Sequence, residues 1–194
     1  MRFESTNVAL KEWASVVAAL EAGRQILLLR KGGIVEGRRG FELRHQQFLF
    51  FPTFEHQHAD LLKPGFAVPA PPSEDVLVLR SGATVDSLLT APPFPEDLAA
   101  IDSLHVWNER FIRQRYAYRP DLPLRLVLLR VWRLREPIEV PLRDAYAGCK
   151  SWVNLTEEIS ITDRQFVLDE EQFLRERDRI MHLLAMRGPV NMAN

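Results

Sequence analysis

The chain has 194 residues, a net charge of −1 at neutral pH, and 46% hydrophobic against 26% charged residues. That is core enough for one ordinary domain and too apolar for a disordered tail, while no long apolar run marks a membrane span and no basic-then-apolar opening marks a secretory leader. One cysteine, Cys149, excludes an internal disulfide framework and a thiolate-rich zinc cluster, so the expectation is a soluble, cytoplasmic, single domain over residues 1–194.

Leu10, Trp13, Val17 and Leu20 recur at helical spacing and Gly23 stands at a C-cap position, so the pattern predicts an N-terminal amphipathic helix over about 7–22. Gln25 to Arg30 reads as a strand. Gly32-Gly33, with Gly37 and Gly40, reads as a hairpin-like loop, and Phe41–Leu43 with Phe48–Phe51 as the returning strand. The alternation slips around Arg44 to Gln47, which predicts a bulge. Pro52 should end that strand and Thr53 should N-cap a short helix over about Phe54 to Leu62, stopped by Lys63-Pro64-Gly65.

Pro64, Pro69, Pro71 and Pro72 make residues 64–75 an extended connector. A strand over Asp75 to Arg80 follows. A second proline-rich connector, 91–95, precedes a long central helix, about Glu96 to Arg115, with His105 on its apolar stripe. Leu122 to Arg133 is the most strand-like segment. Tyr146 to Trp152 reads as a compact turn and Glu158 to Thr162 as a short strand. Asp169-Glu170-Glu171-Gln172 is a capping box for a C-terminal helix to about Met186. Elements in this order predict an α+β protein: a curved mixed or antiparallel sheet, or a small barrel, with an N-terminal, a central and a C-terminal helix.

Charge is unevenly spread. Eight arginines against one acid lie between Arg110 and Arg135, and eight acids against three arginines between Asn154 and Asp178. The two segments either pair in the fold or leave a basic face for polyanions.

Residues 30–63 carry the densest candidate chemistry. Arg30, Lys31, His45, Thr53, Glu55, His56, His58 and Lys63 are phosphate-, metal- or proton-handling types between apolar runs. A helix capped by Thr53 would offer free N–H groups to an anion, with Arg30, Lys31 and His56 supplying charge and Lys150 and Trp152 nearby. Two residues apart on a helix, His56 and His58 diverge, so no metal site is assigned. No phosphate-loop signature or nucleophile elbow is present. Arg110, Arg113, Arg115 and Arg119 interleaved with Tyr116 form a candidate nucleic-acid surface.

The blocks Arg30–Ile34, Phe50–Gln57 and Tyr146–Trp152 resemble those of an uncharacterised bacterial family, a domain of unknown function, over most of the chain. No activity comes with that resemblance. A helix ending at Ala22–Gln25 and leading at once into a strand to Arg30 is similar to the opening of pseudouridine-synthase-and-archaeosine-transglycosylase-like barrels, as is Arg135–Ile138. That likeness implies a small curved β-barrel with flanking helices of a kind that often binds RNA or modified nucleobases. The leading expectation is a module binding a phosphate-bearing small molecule, a nucleobase-like group or nucleic acid. The alternatives are a metal-dependent or acid–base enzyme acting on nucleic acid or nucleotides, with His56 or Glu55 as base, and a protein-interaction module using the proline-rich edges. The sequence leaves any cofactor unknown.

Overall fold

A computed structural model describes residues 4–31, 41–55 and 57–186. The expected loop around Gly32, Gly33, Gly37 and Gly40, and the candidate His56, lie outside the described residues.

The protein is α+β, built on a curved, unclosed mixed sheet ordered β2-β5-β4-β3-β1-β6, with β7 also paired to β5. In chain order these are β1 Ser5–Trp13, α1 Ala14–Glu21, β2 Leu27–Arg30, β3 Gln47–Thr53, β4 Val76–Thr90, α2 Glu109–Ala117, β5 Arg125–Pro141, β6 Trp152–Ser160, β7 Arg164–Phe166 and α3 Glu170–Ala185. Among the described residues only β1 and β3 run parallel; the other pairings are antiparallel. The N-terminal, central and C-terminal helices are α1, α2 and α3.

The expected helix over 7–22 is corrected at its front half. Residues 5–13 form a strand between β3 and β6, and only Ala14–Glu21 is helical. Leu10 packs into one core cluster and Ala9 into the other, so both strand faces are buried and the spacing to Val17 and Leu20 only resembles one helical stripe. The C-cap expectation holds. Gly23 has φ 67°, and the bonds Arg24 N–H to Ala19 O and Gly23 N–H to Leu20 O close α1.

β2 and β3 are not hairpin partners. β2 pairs with β5, while β3 lies between β1 and β4, and residues 41–45 belong to no strand, so the expected bulge in a returning strand is absent there. The helix expected after Thr53 is absent too. Thr53 ends β3, and among the described residues before Lys63 only a 3-10 turn, Ala59–Leu61, follows.

The expected single helix over 96–115 is two pieces. A 3-10 segment, Pro95–Leu104, ends before His105, and α2 begins after Asn108, whose side chain accepts from the Phe111 N–H at 3.1 Å. Strands β4 and β5 are longer than the sequence pattern implied and carry register shifts between Leu79 and Ser81 and between Val85 and Ser87, which bend the sheet. The capping box at Asp169 and Gln172 forms as expected and opens α3. Among the described residues no helix is long and apolar enough to cross a membrane.

The two cores lie on opposite sides of β1 and β3. One holds Leu10, Phe48, Phe50, Leu126, Leu128 and Trp107; the other holds Ala9, Leu49, Phe51, Leu79, Trp132 and Tyr146. Both strands end together, with Glu12 opposite Pro52 and Trp13 opposite Thr53. That shared end positions the candidate site.

Candidate anion-binding site

Strand alternation turns Glu12 to the side of the larger core, where it is buried although charged. Its Oε1 accepts from the Trp13 N–H at 2.8 Å, and its Oε2 lies 3.2 Å from Arg30 Nη1. Arg30 Nη2 donates to the Lys11 carbonyl at 3.0 Å, and the guanidinium sits over the Phe41 ring. Thr53 Oγ1 donates to the Glu12 carbonyl at 3.1 Å. The Thr53 hydroxyl thus locks two strand ends together and caps no helix, so the N-terminal anion cradle argued from sequence does not form.

Lys31, 2% exposed, turns the other way along the same edge. Its Nζ donates to the carbonyls of Arg115, at 3.1 Å, and Tyr116, at 2.9 Å, in the last turn of α2. A cation at a helix C-terminus meets unpaired carbonyls and the negative end of the helix dipole. Burial, then the neighbouring Arg115 charge, hold the Lys31 amine below its ordinary range, with Asp121 opposing.

Arg115 is the unsatisfied member. Its guanidinium lies beside the rings of Phe111 and Tyr118, makes no hydrogen bond or ion pair to a described residue, and keeps Nε buried without a partner. Arg30 Nε is also buried and unpartnered. Burial, then the Arg30 charge, lower the Arg115 pKa, with Glu12 opposing. Arg30 and Arg115 therefore lie about the buried Glu12, with Lys31 beside Arg115 and Asp121 opposing it, and cations that crowd one another in a partly desolvated setting are stabilised by an anion.

The model of a family described as a domain of unknown function (DUF1802) matches residues 9–179. The chain belongs to that family. No curated protein matches. Among solved structures, the ASCH protein from Zymomonas mobilis is similar at a TM-score of 0.42 and 11% identity, over 91% of this chain and 94% of that one. A Tyr→Phe mutant of it gives 0.42 and 12%, over 88% and 96%. Likeness at that level carries neither site nor activity across. The reading of this DUF1802 domain rests on its own residues.

The structure joins two groups that the sequence presented separately. Arg30 and Lys31 meet Arg115 and Tyr116 at the end of α2. Tyr116 is half-buried: its hydroxyl donates to the Pro92 carbonyl at 2.7 Å, and burial pushes its phenol pKa up. Arg110 pairs with Asp60, and Arg113 bridges Glu109 and Glu96. Arg119 has a left-handed backbone, φ 47°. Trp152 packs among Phe41, His45 and Phe48, and its indole N–H donates to the Glu42 carbonyl at 3.1 Å. Burial, then Arg44, lower the His45 pKa. Glu55 is exposed, and Lys150 donates to the Ala145 carbonyl across the sheet from Arg30.

Glu12 is the residue that sequence reading missed, because a helix over 7–22 placed it on a solvent face. The alternation Thr6, Val8, Leu10, Glu12 is the period-two signal that carries it.

A second constellation lines a cleft of about 750 Å³ beside α2. Lys63 Nζ lies 3.0 Å from Asp102 Oδ1, donates to the His105 carbonyl at 2.9 Å, and lies 3.4 Å from His105 Nδ1. Burial, then the Lys63 charge, lower the His105 pKa to about 4. Lys63 is spent on carbonyls at the end of the 3-10 segment, so the arrangement fastens 62–66 to 102–107. Among the described residues no group of three or more His, Cys, Asp or Glu is placed to hold a metal ion.

Proposed function

We propose that the protein is a binding module that recognises a phosphate-bearing ligand, nucleotide or nucleic acid, at the Arg30–Lys31–Arg115 cluster. The observation that carries this reading is Arg115: a cation with a buried Nε, no described hydrogen-bond partner, and two further cations beside it. Its planar fork suits the bidentate recognition of a phosphate. Glu12 holds Arg30 in place and limits the surplus, and Lys31 fixes the end of α2 from which Arg115 projects. Tyr118, 38% exposed and beside Arg115, supplies a ring face for a base. The sequence resemblance to barrels that often bind RNA belongs with this reading. An acid–base enzyme is the weaker reading, since Lys63 and His105 serve the fold.

Titration calorimetry with adenosine monophosphate and with inorganic phosphate, at low and moderate salt, tests the proposal. Wild type should bind the nucleotide in a salt-sensitive manner. Arg115→Gln should weaken binding about tenfold or more, the worth of one charge-assisted hydrogen bond. Equal affinity in the folded variant, or no binding by wild type, would sink the reading.

A further inference from the structure

The Arg30–Arg115 cluster about Glu12 lies on one side of the end of β1; on the other side, the residue before Glu12 begins a second set of cations. Strand alternation sends Lys11 opposite to Glu12, toward Phe51 and the 145–150 turn. Its Nζ donates to the Gly148 carbonyl at 3.0 Å, and its backbone N–H donates to the Ser151 carbonyl at 2.8 Å. Lys150 lies on the same turn, bonded to the Ala145 carbonyl. The two ammonium groups are close enough that Lys150 is, after burial, the chief influence lowering the Lys11 pKa, with Glu55 and Cys149 opposing. Backbone carbonyls hold both lysines, and neither makes an ion pair with a described residue. Gly148, at φ 88°, leaves open space beside its α-carbon.

A single residue connects the two sets: the Lys11 carbonyl accepts from Arg30 while the Lys11 side chain reaches Gly148. Resting on the proposed phosphate site, we infer that Lys11 and Lys150 form a second phosphate subsite, and that the ligand is a single strand of nucleic acid crossing the end of β1. A mononucleotide fills only the Arg115 side. Two cation groups on either side of one strand end match a chain with a repeating phosphate, and the exposed Tyr118 ring beside one of them matches a base. An acidic peptide would use the cations but not the ring.

The test is fluorescence anisotropy with labelled single-stranded RNA and DNA of about twelve nucleotides, within the usual span of single-strand sites. Wild type, Arg115→Gln and the double variant Lys11→Gln/Lys150→Gln are titrated over a salt series, with adenosine monophosphate and a polyglutamate peptide as competitors. The substitutions are polar and partly exposed, and circular dichroism confirms folding. The double variant should flatten the log–log salt slope by about 1.4, two phosphate contacts at about 0.7 each, and leave mononucleotide binding unchanged. An unaltered slope in the double variant, with Arg115→Gln still impaired, overturns the second subsite and spares the first. Polyglutamate competing as well as the oligonucleotide overturns the nucleic-acid assignment. Loss of neither ligand in Arg115→Gln refutes the underlying site as well.

Discussion

Lys31 and Arg115 are neighbours of like charge with opposite tasks. Lys31 is buried, and among the described residues its ammonium donates to two carbonyls at the end of α2 and lies 5.9 Å from the centre of the Tyr116 ring. Lys31→Met keeps the stem's packing and removes the charge, leaving two carbonyls without their donor. The expected cost is about 2–4 kcal/mol of unfolding free energy, from two charge-assisted bonds offset by the desolvation no longer required. Urea denaturation measures it. Arg115→Gln should instead change stability by less than about 1 kcal/mol, because no hydrogen bond is lost, and a Gln amide escapes the like-charge neighbours. If Lys31→Met unfolds no more readily than Arg115→Gln, the division of labour is wrong.

Among the elements, β4 is tightly constrained at one glycine. Gly82 pairs with both Leu49 and Trp132, and a Cβ there would lie 2.3 Å from the Phe48 carbonyl oxygen and 2.3 Å from the Trp132 ring. Neither can retreat: one is backbone in β3, the other is fully buried. Gly82→Ala should cost about 3 kcal/mol or more, at the upper end of overpacking, and should lower the thermal midpoint in calorimetry. α3 offers the milder contrast. Asp169→Ala removes one reciprocal half of its capping box and should cost about 1 kcal/mol.

These elements also show what was legible in the sequence. The Asp169 cap, the Gly23 cap and the strand around Leu126 were readable because the signal and the structure are local to one another. β1 was not: its identity comes from pairing with β3 and β6, some forty and more than a hundred residues away. The Thr53 cap signature was genuine side-chain chemistry with another acceptor, the Glu12 carbonyl. Asn108 caps α2 in the middle of the expected long helix, and the apolar stripe that continues through it hides the break. The site followed the same rule. Its cations were visible as residue types, but the seating of Arg30 on Glu12 depended on the strand that the pattern hid.

At the scale of the whole molecule, the basic and acidic segments are only partly matched. Arg130 pairs with Glu170, and Arg135 lies 3.9 Å from Asp163, but Arg110 and Arg113 find acids elsewhere. Surface pairs of this kind contribute little to stability. The stronger pH dependence comes from within. His105 is 3% exposed, faces Lys63 and Asp102, and packs beside Trp107. Its folded pKa of about 4 lies below the ordinary value of 6.5, so between those values the unfolded chain binds a proton that the native protein refuses. Stability therefore is fully present above pH 6.5 and falls as pH drops toward 4. The loss by pH 4.5 should be about 2–3 kcal/mol from this group alone, at about 1.36 kcal/mol per pKa unit. Carboxylates add their own acid sensitivity, so the measurement is a difference: urea unfolding of wild type and His105→Gln at pH 7.5 and 4.5. The variant begins less stable, having lost imidazole packing, and the gap should narrow by that amount on acidification. A gap that stays constant would show that His105 takes up its proton without cost, and that the Lys63 fastening does not depend on a neutral ring.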